Sequence, residues 1–155
     1  MNKIKMQTKR LTKLLKRLLN SKSIHFDQVK CLNSSGVYAV LKNKKVIYIG
    51  KTTRYGKKRL REMTGDYISH SLNRKLMTEL LNKNYKLNLA RLRNDDKETL
   101  SKEKKLSRAQ FEATQKEVNK KIKEEFQIKF IEASGREMTN LEHFVIGVLS
   151  PEYND

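Results

Sequence analysis

Two short apolar segments near residue 40 form the clearest pattern in the chain. Residues 35–41 and 46–52 are rich in β-branched and aromatic residues, and the charged segment 42–45 separates them. This arrangement predicts a β-hairpin. Each strand carries a tyrosine close to a glycine, as Gly36-Val37-Tyr38 and as Tyr48-Ile49-Gly50. We expect the tyrosines to lie directly opposite each other on one face, which requires a loop with an odd number of residues.

Helical spacing of apolar residues predicts helices over residues 1–22, 71–82 and 101–125, and a last helix that ends at Ser150. Ser134 and Glu137 have the spacing of a capping box at the start of that last helix. A short helix beginning at Thr53 or Gly56 is expected to follow the hairpin.

Alternating apolar and polar residues predict a strand over residues 85–93, and an apolar run predicts another over 126–131. These elements define an α+β fold with a small antiparallel or mixed β-sheet of about three strands flanked by helices. We expect a basic N-terminal helix and connector over residues 1–34. One domain then covers residues 35–155, with a helical elaboration at about 85–125.

The charge of the chain indicates a class of binding partner. Lys and Arg number 35 against 17 Asp and Glu, which gives a net charge of +18. A codon bias towards lysine does not explain why acidic residues are half as common. Such an excess favours a polyanionic partner, with nucleic acid ahead of an anionic membrane.

The N-terminal helix concentrates this charge, since residues 1–22 hold eight Lys or Arg and no acidic residue. Three interpretations remain open: a clamp on the DNA backbone, a packing helix with a solvated basic face, and a membrane-surface helix. In the first, the phosphate contacts are Lys9, Arg10, Lys13 and Arg17.

Cysteine content and hydropathy indicate the compartment. Cys31 is the single cysteine, so no internal disulfide forms, and a free thiol is typical of a reducing cytosol. No apolar run approaches the roughly 18 residues of a membrane span, and no secretory signal is visible. We expect a cytoplasmic protein that makes no membrane contact.

The hairpin motif resembles the GIY-YIG endonuclease family, with Val37 in place of the middle isoleucine. The resemblance extends over roughly Gly36 to Asn154. Arg59-Leu60 is similar to the family's helix-borne arginine, Leu141-Glu142 to its Leu-Glu pair, and Pro151-Glu152-Tyr153-Asn154 to its closing Pro-x-Tyr-Asn. The occurrence of these elements in this order carries the resemblance.

The resemblance implies a DNA endonuclease that hydrolyses phosphodiester bonds with one Mg²⁺ or Mn²⁺ per active site. Tyr38 would activate the attacking water, Tyr48 would orient the water or phosphate, and Arg59 would hold the scissile phosphate. Glu142 would bind the metal and Asn154 would support the site by hydrogen bonds. The implied catalytic set, including a lysine that contacts the phosphate or lowers a tyrosine pKa, is Tyr38, Tyr48, Lys51, Arg59, Glu142 and Asn154.

The chain departs from the family pattern at two places. The spacing from Tyr48 to Arg59 is one residue longer than the commonest version, so Arg61 is the fallback for the arginine. Met63 stands where many members carry a histidine or tyrosine. Tyr67 and His70 are the nearest substitutes in sequence.

The resemblance leaves several functions open. A restriction-like, mobile-element or structure-specific nuclease is expected to act on single- or double-stranded DNA, with Lys57, Lys58 and Arg61 as further DNA contacts. No separate DNA-binding domain is expected after Asn154, and a homodimer would allow both strands to be cut. The elaboration serves either substrate recognition or a structural or dimerisation role. The alternative is a catalytically inactive nucleic-acid-binding module or a basic RNA-binding protein.

Overall fold

The computed structural model describes residues 2–155 and has an α+β fold. Its elements are α1 (Lys3–Asn20), a 3-10 helix (Phe26–Cys31), β1 (Gly36–Lys42), β2 (Lys45–Thr52), α2 (Gly56–Glu62), α3 (Ser71–Tyr85), α4 (Asp96–Lys102), α5 (Arg108–Glu125), β3 (Phe126–Glu132) and α6 (Gly135–Leu149). Both neighbours of the central strand run antiparallel to it in the order β2-β1-β3. The prediction of a small three-stranded sheet flanked by helices is confirmed.

The chain forms two compact units. The first contains the residues up to Arg59 together with Glu125–Asp155, and the second contains Leu60–Glu124. The sheet, α1 and α6 therefore belong to the first unit, while α3, α4 and α5 form the second. Within residues 2–155, no helix combines the length and apolar character needed to cross a membrane.

One face of the sheet forms the core of the first unit. The alternate residues Val37, Ala39 and Leu41 of β1 point to this face and are buried. Helices α1 and α6 cover them, with the buried side chains Leu15, Leu18, Met138, Leu141 and Val145.

The leucine face of α1 packs on this core. Leu15 and Leu18 are buried, and Leu11, Leu14 and Leu19 are partly buried against them. The packing interpretation of α1 is confirmed for this face, which is thus not available to a membrane surface. The role of the opposite, basic face as a DNA clamp stays a prediction.

The register of β1 against β2 decides how the two tyrosines meet. Tyr38 pairs with Gly50, and Val40 pairs with Tyr48. Because side chains alternate along a strand, Tyr38 and Tyr48 share one face as diagonal neighbours. The prediction of a shared face is confirmed, whereas the prediction that the tyrosines lie directly opposite each other is wrong.

The hairpin reaches this register through a turn and a bulge. The turn has two residues, Asn43 and Lys44, with φ of 50° and 66°, the left-handed conformation that a type I′ turn requires. The expectation of an odd loop is therefore wrong. The pairing then shifts between Val40 and Leu41, which leaves Ile47 as an extra residue in β2. This insertion returns both tyrosines to one face.

Two predictions for the second unit are wrong. Residues 85–93 form no strand, because α3 continues to Tyr85 and the following segment pairs with side chains of that helix. Asn82 donates to the carbonyl of Leu89 at 2.8 Å and accepts from its amide at 2.9 Å. The predicted helix 101–125 starts too early: residues 101 and 102 end α4, a loop in which Lys104 has a φ of 58° follows, and α5 begins at Arg108.

The start of α6 also differs from the prediction. Ser134 occupies the N-cap position, but its side chain makes no capping hydrogen bond. Glu137 instead accepts from the guanidinium of Arg10, at 2.5 Å from Nε and 3.1 Å from Nη2. The capping-box prediction is wrong because an ion pair with α1 engages this carboxylate. The strand predicted over 126–131 and the helices over 71–82 and up to Ser150 are confirmed.

Candidate functional site

Tyr38 is the centre of the candidate site. It lies in the central strand and is fully buried. Its ring crosses Gly50, since a Cβ at that position would lie 2.4 Å from both Cζ and Oη of Tyr38. Only glycine leaves room for this crossing. The Tyr48 ring lies beside it, with 6.3 Å between ring centroids and 37° between ring planes.

Arg59 reaches Tyr38 from α2. The first turn of this helix forms because the carbonyl of Tyr55 accepts from the amides of Lys58 and Arg59, at 2.9 Å and 3.3 Å. The half-buried Arg59 side chain donates a hydrogen bond to the Tyr38 hydroxyl. A tyrosine from β1 and an arginine from α2, predicted from separate motifs, are therefore in contact.

Burial raises the pKa of Tyr38 far above its ordinary value of 10.0, and the neighbouring Tyr48 and Glu142 act in the same direction. The positive charge of Arg59 and its hydrogen bond oppose this rise. The phenol is consequently neutral at physiological pH.

Glu142 lies on α6, one turn after Met138, and only 15 % of its side chain is exposed. Burial raises its pKa, whereas the charges of Lys51, His143 and Arg59 lower it. The Nε2 atom of His143 is 3.8 Å from Glu142 Oε1. A partly buried carboxylate surrounded by cationic groups is typical of a functional site.

Lys51 and Asn154 connect β2 to the rest of the unit. Lys51 Nζ donates to Thr139 Oγ1 on α6 at 2.8 Å, and its charge acts on Glu142. Asn154 accepts from the Ile49 amide at 2.7 Å and donates to the Ile49 carbonyl at 2.9 Å. Asn154 therefore fixes the backbone between Tyr48 and Gly50.

These contacts bring Tyr38, Tyr48, Arg59 and Glu142 into one cluster within the first unit. The ring contact joins the tyrosines, the hydrogen bond joins Tyr38 to Arg59, and the electrostatic interactions join Glu142 to both Tyr38 and Arg59. The cluster combines a carboxylate, a permanent cation and two phenols. These groups can bind a cation, a phosphate and a water molecule at neighbouring positions.

Glu142 is the carboxylate of this cluster that could hold a metal. Among residues 2–155, no group of three or more His, Cys, Asp and Glu side chains is arranged to bind an ion. The oxygens of Thr139 and Asn154 already accept hydrogen bonds. This donor set fits a hydrated Mg²⁺, which takes one or two carboxylates and retains several waters. It does not fit a structural zinc site, which needs four protein ligands.

The residues considered as substitutes at the Met63 position have structural contacts in the second unit. Met63 is fully buried. The Tyr67 hydroxyl donates to the Asn94 carbonyl at 2.9 Å, and His70 Nδ1 accepts from the Leu72 amide at 3.1 Å at the start of α3. These contacts account for Tyr67 and His70 as parts of the fold of that unit.

The predicted DNA contacts differ in their surroundings. Arg10 is paired with Glu137, and Lys57 Nζ donates to Asn33 Oδ1 at 2.9 Å. The other predicted contacts are exposed, namely Lys9, Lys13, Arg17, Lys58 and Arg61.

Comparison of the chain with protein-family models, curated proteins and solved structures gave no significant match.

Sequence reasoning missed three residues around the cluster. Thr139 lies on α6 three residues before Glu142, so helical spacing would have placed it nearby, and His143 directly follows Glu142 in the sequence. Tyr55 is an exposed aromatic residue next to Lys57, with the Lys57 ammonium 5.5 Å from its ring centroid. Its position among basic residues was the available signal.

Gly50→Ala tests the crossing of Tyr38 over β2. We expect a loss of about 1–3 kcal/mol in the free energy of unfolding, because the new methyl group overlaps the Tyr38 ring. Urea denaturation would measure it. Gly147→Ala on α6 is the matched control. Outside its two chain neighbours and the helix's own backbone, no atom lies within 4 Å of the position that the new methyl group would take. This variant should stabilise the helix by up to about 1 kcal/mol. In a Tyr38→Ala background, Gly50→Ala should cost much less; an equal cost would contradict the crossing.

The pKa of Glu142 predicts a pH-dependent stability. Because its folded pKa lies above its unfolded value, folding is favoured by the protonated form, and this contribution is lost as pH rises through the folded pKa. Glu142→Gln mimics the protonated form. The unfolding free energy of this variant, relative to that of wild type, should therefore increase between pH 4 and pH 8. Denaturant titrations without divalent metal would measure this difference.

Glu137→Gln is a control for which the opposite effect on the unfolding free energy is expected. Arg10 lowers the pKa of Glu137, so the contribution of this carboxylate is present above its unfolded pKa and is lost as pH falls through the folded pKa. This variant should lose stability relative to wild type at neutral pH, by a small amount because the pair is exposed. Identical pH profiles for the two variants would contradict the assigned environment of Glu142.

Proposed function

We propose that this protein is a metal-dependent DNA endonuclease of the GIY-YIG type, which hydrolyses phosphodiester bonds. One observation carries the proposal: Arg59 donates to the buried Tyr38 hydroxyl and its charge also acts on Glu142. Three residues from three distant motifs thus form one charged cluster. The net charge of +18 supports a polyanionic substrate.

Arg59 is the group that would hold the scissile phosphate. Its guanidinium has five N–H donors and stays charged at all relevant pH values. One donor serves Tyr38, and the planar fork of the guanidinium matches the geometry of the non-bridging oxygens of a phosphate. Preorganised positive charge at this point stabilises the charge that develops in the transition state.

Tyr38 acts on the attacking water as a neutral phenol. Because its pKa is raised, little tyrosinate is present to act as a free base at neutral pH. We infer a relay in which Oη accepts the proton of the water while the phenolic proton passes to a phosphate oxygen. The ring of Tyr48, 6.3 Å away, limits the space in which the water is held.

Glu142 would hold the metal. A bound Mg²⁺ or Mn²⁺ supplies positive charge to the phosphate and to the leaving 3′ oxygen. The carboxylate lies on the rigid helix α6 and is mostly buried, which restricts its orientations. Lys51, held by Thr139, balances the negative charge of Glu142 before a metal binds.

The second candidate is a nucleic-acid-binding module without catalysis. The observation that favours it is the buried Met63, because many members of the family have a histidine or tyrosine at this position. The basic surface would then act alone. Metal-dependent cleavage separates the two candidates.

The first test is cleavage of supercoiled plasmid and of labelled single strands with Mg²⁺, Mn²⁺ or EDTA. We expect metal-dependent cutting by wild type and a loss of at least about 10²-fold in Glu142→Gln, because the metal ligand is removed. DNA affinity should be nearly unchanged. The control Glu152→Gln removes an exposed carboxylate two residues before Asn154 and should cut like wild type. Salt-sensitive binding with no cutting by any form would favour the binding module.

Arg59→Ala and Arg61→Ala separate the two candidate arginines, which lie on the same helix. Arg59→Ala should lower single-turnover cleavage of bound DNA by about 10²–10³-fold, the typical cost of one preorganised charge donor. Arg61→Ala should change affinity by a few-fold and leave the cleavage rate of bound DNA close to wild type, because Arg61 is exposed. The reverse result would make Arg61 the phosphate clamp.

A further inference from the structure

Tyr55 is an aromatic residue that the fold leaves exposed. In the part of the chain that the structure describes, the exposed large apolar side chains are Ile4, Met6, Tyr55, Ile68 and Val148. Tyr55 is the aromatic member of this group, with 56 % exposure. Aromatic rings supply much of the energy of cores and interfaces, so a ring held in solvent is a candidate contact surface.

The backbone around Tyr55 is fixed on both sides. Before it, Thr52 Oγ1 accepts from the Arg54 amide at 3.1 Å and closes a turn. After it, the amides of Gly56 and Lys57 donate to the carbonyls of Ser34 and Leu32, each at 2.9 Å. The ring is therefore presented by an anchored segment, which lowers the entropy cost of binding.

Cationic side chains surround the ring. The Lys57 ammonium lies 5.5 Å from the ring centroid and is held by Asn33. Tyr55, Arg54 and Lys58 line an open groove of about 340 Å³ together with Ser35 and Thr53. This volume is near the lower end of the range of about 300–1,000 Å³ that ligand pockets span.

We propose that this groove binds an unstacked base and its flanking phosphates in single-stranded DNA, with the base on the Tyr55 ring. An exposed ring among cations is the combination by which proteins bind single strands, because every base has a face for stacking and every linkage has a charge. In an intact duplex, the base faces are covered by their neighbours.

The groove and the candidate active site are linked through the start of α2. The helical turn that carries Arg59 begins at Tyr55, since the Tyr55 carbonyl accepts from the Arg59 amide. Four residues along a helix correspond to about 6 Å. If the groove also defines the substrate of the nuclease, the inference rests on the proposed nuclease function. The substrate is then DNA in which the strand that is cut, or a strand next to it, is unpaired near the site.

The test is binding in EDTA, measured by fluorescence anisotropy of a labelled dT oligonucleotide of about 12 nucleotides and a duplex of equal length. Tyr55→Ala should weaken binding of the single strand by about 5- to 150-fold, the range found for one stacked base. Tyr55→Phe keeps the ring and should bind like wild type. Ile68→Ala removes another exposed apolar side chain, in the second unit, and should have no effect.

The salt dependence identifies the type of contact. Tyr55→Ala should leave the slope of log K against log salt unchanged, because no phosphate contact is lost, whereas Lys58→Gln should reduce its magnitude by about 0.7. An equal loss on duplex and single strand, an unchanged affinity in Tyr55→Ala, or no single-strand binding by wild type would overturn the proposal. Because EDTA prevents cleavage in all these measurements, an inactive protein that binds in this way would refute the nuclease and leave the stacking site established.

Discussion

The passage of Tyr38 across Gly50 is the contact on which the rest of the site depends. A buried tyrosine in the central strand can reach the neighbouring strand only where that strand has no Cβ, and a Cβ at Gly50 would lie 2.4 Å from its hydroxyl. The register must also place this glycine opposite Tyr38, which it does. The hydroxyl then needs a polar partner in the protein interior, and Arg59 supplies it.

The edge of the sheet is stabilised by the same region of the chain that completes the site. Strand β2 lies at one edge, where unpaired backbone groups are open to association with other chains. The C-terminal residues occupy these groups: the Tyr153 amide donates to the carbonyl of the bulged Ile47 at 3.0 Å, and the Asn154 side chain pairs with Ile49. The bulge therefore both sets the tyrosine register and forms a binding point for the C-terminal segment.

Burial raises the pKa of two groups in the cluster, Tyr38 and Glu142. In each case the nearby Arg59 opposes the shift without cancelling it. For Glu142 the raised pKa means that ionisation costs folding free energy at neutral pH. This cost is more readily explained by chemistry than by stability, since sites of catalysis and binding commonly retain such conflicts. The charges that surround Glu142 would be rebalanced by a cation or a phosphate at the site.

The hairpin and the amphipathic helices could be predicted from the sequence, because side-chain direction along an element depends on neighbouring residues and apolar periodicity encodes it directly. The residues of the candidate cluster stand in the sequence as separate motifs, and the resemblance to the GIY-YIG family indicated them. Tertiary structure alone decided the diagonal tyrosine pair, the partner of Glu137, the irregular segment after Tyr85 and the exposure of Tyr55. Each depends on contacts between distant positions, as in the ion pair that joins residues 127 apart. Local patterns carry no information about such pairs, whereas packing of the whole chain selects among them.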